Sequence, residues 1–563
     1  VDRHLQELLD QRRKLLALPP GERVERILAS PRARELVRSL PATEFWLTIV
    51  QAGLDRALPL LPLAGKRQLD FLFDLEAWTG DDFDPVRAGE WLRAFREADP
   101  ALVARWFREG DEPLVVLALG RMLRVYKLDE STSPDYWPPD RPVPTLDGIY
   151  FVEPVDGLPD GVFPALWEGL AVLRARDRNA YEALLEQVLW MIPPEQEDGV
   201  RERREGRLAE HGFPPPDEAM EAWAAGEYVD RSAREALARR AAGLPPVSGR
   251  PSAGNRVAGL PLPGSLPVPA ETAGPVLARA LAPLAPEARE RITREALAFA
   301  GRYAVASGRP LGDPATHADG LATALAHLEL GLEELSGGDP GLAARALAGL
   351  PVRELVLAGA GAVQERALRA RRLLAGWLAR VHLGRERLDE PLEEVIVGLA
   401  GPRPLFTSHG EERPFRSLAD LRLVDGVLDT VEALGRFLED VLGAEDGKEL
   451  PELDPLPAGR RNAREVEWSA VALTTIARAA LGATDPRPRP LARGEAQEAL
   501  DRLLTPEPPR ETTGRFVQYA NLLALGPAEP FLAGRLVDDA GELPREARPD
   551  PRFVRALLLV PDR

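Results

Sequence analysis

Residues 61–84 read LPLAGKRQLDFLFDLEAWTGDDFD, and the fold turns on how that stretch is read. It opens on Leu-Pro, runs into a dense apolar helix and closes in an acidic loop. On a helical wheel Leu69, Phe71, Leu72, Phe73, Leu75 and Trp78 fill one arc. Lys66, Arg67, Asp70 and Asp74 share a polar wedge, with Lys66 and Asp70 spaced as an i, i+4 ion pair. Glu76 falls inside the apolar arc. The helix therefore ends before it, or a carboxylate is carried inward and needs a partner. An arginine or a hydrogen-bond donor is the partner expected. The alternative is a hard divalent cation, Mg²⁺ or Ca²⁺, held by Glu76 with the loop acids Asp81, Asp82 and Asp84. These are the candidate metal ligands; no catalytic or cofactor-binding residue is selected.

Moving outward, similar units flank this stretch. Leu-Pro or Asp-Pro steps recur at Leu18-Pro19, Leu40-Pro41, Leu61-Pro62, Asp84-Pro85 and Asp99-Pro100. The first four prolines lie 22, 21 and 23 residues apart, and an apolar cluster follows each. Proline suits the first turn of a helix, where its missing N–H costs nothing. The expected fold is mainly α. Stacked short helical hairpins, a superhelical repeat, occupy residues 1–130. Residues 131–242 hold a Pro-rich segment with a small β element near 145–153, then helices. A Pro/Gly-rich linker spans 243–274, and a helical bundle fills 275–563. The last residues, PRFVRALLLVPDR, are expected to form a short apolar helix docked on that domain.

Two resemblances attach to particular residues. LLALPPGERVERILASPRARELVRSLP, residues 15–41, is similar to the α-superhelical N-terminal domain of MgtE-type magnesium transporters. It implies stacked Leu-Pro helices over the N-terminal third and adds weight to a divalent cation near Glu76. FLFDLEAWTGDDFD (71–84), RLAEHGFPPPDEAMEAW (207–223) and RPFRSLADL (413–421) resemble a family of uncharacterised bacterial helical proteins. That likeness spans most of the chain and implies no activity.

Composition excludes several classes. At 563 residues the chain is too long for one core. A net charge of −18 argues against general nucleic-acid binding, because phosphate contacts need a basic surface. No cysteine is present, so disulfides, thiolate metal sites and cysteine nucleophiles are ruled out. The 4 lysines leave 67 of the 71 basic positions to arginine, so many Arg–carboxylate pairs are expected. The longest uncharged run, 257–270, contains four prolines and cannot span a bilayer as a helix. The reading is soluble and cytoplasmic.

Motifs for chemistry are missing. His4, His211, His317, His327, His382 and His409 form no i, i+4 pair. His317 and His327 lie about 80° apart on one helix; with Glu329, Glu333 and Glu334 nearby they are read as ordinary helix histidines. Gly359-Ala360-Gly361 lacks the third glycine and the preceding strand of a dinucleotide loop, and is read as a close helix–helix contact. The expected function is therefore a non-catalytic helical scaffold with a protein partner and no cofactor. The alternatives are an enzyme with a carboxylate–arginine site, with or without a divalent metal, and a divalent-cation-responsive regulator.

Overall fold

The structure, a computed structural model, describes residues 3–16, 18–224, 229–247, 274–408, 410–448, 450, 466–544 and 548–560. The chain is mainly α. Among the described residues strand is confined to three antiparallel pairs, the longest five residues a side. The chain divides into two compact units. The first takes in Val1–Ala222, Pro245–Leu325 and Ala344–Glu354; the second takes in Trp223–Leu244, Ala326–Ala343 and Leu355–Arg563. The linker expected over 243–274 lies outside the described residues except at 243–247 and 274.

In the first unit proline does start helices. Pro20, Pro85 and Pro100 occupy the first turns of Pro20–Leu28, Pro85–Ala98 and Pro100–Glu109. Asp84 and Asp99 cap the last two, accepting from Val86 N at 3.0 Å and Ala101 N at 2.9 Å. Pro62 departs from this pattern. It sits within a 3₁₀ turn, Leu58–Leu63, and the following helix Lys66–Glu76 starts from Gly65. Pro59 and Pro62 both lack an N–H, so an α-ladder cannot run through LPLLPL and the tighter turn takes over.

The expected β element is present. Helix Glu112–Met122 passes directly into strand Leu123–Lys127, which pairs with Tyr150–Pro154, Val125 opposite Val152. The helices expected after that β element begin with two, Val162–Arg176 and Arg178–Leu189. Asp177 divides them, its carboxylate accepting from Ala180 N at 3.0 Å to begin the second. One apolar core runs from Leu15 to Val200, so residues on both sides of position 131 share it. Its centre is aromatic: Phe73 stacks on Trp106 at 4.5 Å, and Phe95 meets Phe73 edge-on at 5.7 Å.

The second unit has its own core, from Leu330 to Leu559. Helix Trp468–Ala480 is buried almost all round within it. Helix Leu418–Arg436 ends in a π-turn, Phe437–Val441. Within this unit lies one hairpin among the described residues, Phe406–Ser408 with Glu411–Arg413. The contact expected at Gly359 is present. A Cβ there would lie 2.1 Å from the His327 carbonyl, and one at Gly331 would lie 2.0 Å from the Leu355 carbonyl.

The tail corrects an expectation. Residues 551–560 form no helix; a turn at 551–553 leads into an irregular stretch with Leu557, Leu558 and Leu559 buried. Leu491 N donates to Leu558 O at 2.8 Å and Val560 N donates to Leu491 O at 2.9 Å. The run ALLLV has no polar face, which does not suit an amphipathic helix; Ala556 to Leu559 are enclosed and Val560 is exposed.

Candidate functional site

The Lys66–Glu76 helix carries three buried carboxylates, and each has partners. Gln68 fixes its start, accepting from Gly65 N at 2.9 Å and donating to Val37 O and Leu40 O at 2.8 and 3.0 Å. Asp70 pairs with Lys66 at 3.0 Å, as its spacing predicts, and accepts from Asp111 N at 3.2 Å. Asp74 is 0% exposed and receives both Arg207 Nε and Nη2, at 2.8 and 2.7 Å. Arg207 also reaches Asp111 at 3.2 Å. Arg204 donates to the Asp74 carbonyl at 2.8 Å and lies over the Trp78 ring at 4.8 Å. Glu76, 8% exposed, accepts from Trp46 Nε1 at 2.7 Å and from Arg87 Nη2 at 3.3 Å.

The arginine expected for Glu76 is thus Arg87, with Trp46 as a second donor. The wet face expected for Asp70 and Asp74 is instead covered. Helix Pro193–Glu210 packs on that wedge and supplies Arg204 and Arg207 from far along the chain. Burial raises all three carboxyl pKa values, Asp74 to about 6, while the bonded cations pull them back down. Burial alone would lower Arg207, but its bonds to Asp74 outweigh that and hold it above its ordinary value.

The loop acids are placed differently. Asp81 and Asp82 are exposed on the tight hairpin Trp78–Thr79 with Asp82–Phe83. Asp84 is committed to its helix N-terminus and to Thr79, whose hydroxyl donates at 3.0 Å. Among the described residues no three or more His, Asp or Glu side chains are grouped to hold a metal ion. Of the acids near the helix histidines, Glu333 accepts from Leu418 N at 2.8 Å and Glu334 pairs with Arg234 at 2.7 Å. His327 is buried, its ring edge-on to Trp223, and burial alone lowers its pKa to about 4. His409 and the His4 side chain lie outside the described residues.

A surface feature emerges that local sequence pattern did not single out. Trp190, at the end of helix Arg178–Leu189, is 52% exposed, and Ile192 is 56% exposed. Tyr136, from the Pro-rich segment, lies 5.0 Å from Trp190 ring to ring, with Trp137 next in the chain also exposed. Trp190 is held in place, because its Nε1 donates to Glu186 at 3.0 Å. Glu186 in turn accepts from Tyr150 at 2.6 Å and Lys127 at 3.1 Å. Beside Trp190 and Ile192 runs a groove of about 550 Å³ floored by Pro113, Val116 and Met191. Among the described residues its charged lining is Glu112 and Glu195. The available signal was the pair of aromatic–proline runs, YWPP at 136–139 and WMIPP at 190–194.

A family of unknown function, DUF6178, has a model that matches residues 2–560. The chain belongs to the DUF6178 family. This extends the likeness to an uncharacterised family over nearly the whole DUF6178 chain; the likeness to the magnesium-transporter domain gains nothing from it. No curated protein and no solved structure matches it. Within this DUF6178 chain no described helix is long and apolar enough to cross a membrane.

Proposed function

We propose that this protein is a non-catalytic helical interaction module. Its composition, acidic and free of cysteine, is the ground for placing that role in the cytoplasm. The observation that supports it is the exposed patch of Tyr136, Trp137, Trp190 and Ile192 beside a groove of mixed polar and apolar lining. Single exposed apolar residues are ordinary, but contiguous ones rimmed by polar groups mark binding surfaces. Trp and Tyr are the side chains that most often dominate such interfaces. The acids on the rim, Glu112 and Glu195, favour a partner segment that brings an apolar side chain together with a lysine or arginine.

The test is affinity capture from the native cell with the full chain and with a Trp190→Ala, Ile192→Ser variant. The same partner should be retained reproducibly by the wild type, less of it as salt rises, and lost by the variant. An identical retained set from both proteins, or none reproducible from the wild type, would sink the reading.

A further inference from the structure

The first unit also carries a pocket of about 310 Å³ between the helices Ala33–Ser39 and Pro100–Glu109 and the junction of Val162–Arg176 with Arg178–Leu189. Two helix starts border it. Asp99 and Asp177 cap them, accepting from Ala101 N at 2.9 Å and from Ala180 N at 3.0 Å. Leu102 and Leu173, both buried, give the pocket a small apolar share.

Most of the lining is charged. The guanidiniums of Arg34, Arg105, Arg108 and Arg176 stand against the carboxylates of Asp99, Glu109 and Asp177. In a chain of net charge −18 that is a local reversal of sign. The three acids are already engaged. Asp99 and Asp177 sit at the positive ends of helix dipoles, which offset part of their charge. Glu109 pairs with its neighbour Arg108 at 2.7 Å. The other arginines are not matched in return. Arg34 and Arg176 are exposed, and neither has an acid partner among the described residues. Arg105 is half-buried and is anchored by carbonyls, donating to Pro62 O at 2.8 Å and Ala64 O at 3.0 Å. A guanidinium has five N–H donors, so three remain. Burial lowers the pKa of Arg105; Glu109 and Asp99 pull it back up, while the charges of Arg38 and Arg34 push it further down. Like charges are therefore gathered around Arg105, and an anion would relieve them.

We infer that this pocket binds a phosphate dianion, free or as a small monoester, with its oxygens shared among Arg34, Arg105 and Arg176. Guanidinium forks match phosphate oxygens and hold them with charge-assisted hydrogen bonds. A carboxylate is planar and one fork fills it, whereas a tetrahedral phosphate offers oxygens to arginines arriving from three separate helices. The volume is at the small end of ligand sites, and the lining is mostly charged, so the anionic group itself is what the pocket recognises.

The test is calorimetric titration and thermal melting of the full chain with inorganic phosphate and with glycerol phosphate, at an ionic strength held constant with sodium chloride. Acetate and succinate serve as carboxylate controls. At least one of the two phosphates should bind saturably and raise the melting temperature, with the carboxylates about tenfold weaker or more. Arg34→Glu and Arg176→Glu, both exposed changes away from the core, should each weaken phosphate binding about tenfold or more. Trp190→Ala should leave it unchanged, which keeps this pocket separate from the groove. Vesicles of phosphatidylcholine and phosphatidic acid present the same group on a lipid. Protein that pellets with them yet binds neither soluble phosphate would show attraction to a charged surface only and would overturn the proposal. So would the absence of saturable phosphate binding, or binding that both arginine reversals leave intact.

Discussion

Asp74 is the residue at which solvent and burial were hardest to tell apart. On a wheel it belongs with Lys66 and Asp70, and a polar wedge is ordinarily wet. Its cover comes from Arg204 and Arg207, more than a hundred residues away, and no local pattern announces that helix. Glu76 was easier, because a carboxylate within an apolar arc demands a partner wherever that partner comes from. Asp74 also carries a pH signature. Its carboxyl is raised from 3.8 to about 6 on folding, chiefly by burial. A raised acid binds its proton more tightly in the folded chain. The stability it adds is fully present below pH 3.8 and is lost as pH rises through 6. The gap between the folded and unfolded values corresponds to about 3 kcal/mol. Asp74→Asn should flatten the part of the melting-temperature profile between those two values. If urea denaturation across that range gives the same pH slope for variant and wild type, Asp74 is not the group responsible.

Elements were legible where local chemistry fixes their ends. Pro at the first turn and Asp before it place Pro85–Ala98 and Pro100–Glu109 from sequence alone. Legibility failed where proline's lost donor changes the kind of helix, as at Leu58–Leu63. It failed again where an all-apolar run gave no periodicity to read, as at 556–560. Gly359 shows the same limit from the other side. Its smallness was read as helix contact, and the contact, with Gly331 opposite it, proves to be backbone on backbone. In an open helix Gly→Ala would gain about 1 kcal/mol from propensity. Here the added Cβ would meet a carbonyl oxygen that cannot move alone, so packing sets the sign. Gly359→Ala should cost about 1–3 kcal/mol in chemical denaturation. A variant as stable as the wild type would mean the two helices can separate without penalty.

At the scale of the whole molecule, the sequence indicated more than one core and a mainly helical chain. How the chain is shared out depends on contacts between distant stretches. Each unit gathers three separate stretches of chain. The second unit is closed by its last described residues: Leu558 N donates to Thr474 Oγ1 at 2.8 Å on the buried helix Trp468–Ala480. Leu558→Asp would place a charge in that core without a partner. It should cost about 4 kcal/mol or more, read as a fall in the urea midpoint. An unchanged midpoint would show the tail to be dispensable. The position of this strap also bears on how the protein is made. A ribosome delivers the chain from its N-terminal side, and domains fold as their residues emerge. The second unit starts at Trp223, yet its core stays open until residues 554–559 have been translated and have cleared the exit tunnel. Through that interval the side of Trp468–Ala480 that carries Thr474 lacks its cover, although the helices at 493–540 that pack on the rest of it have already been made.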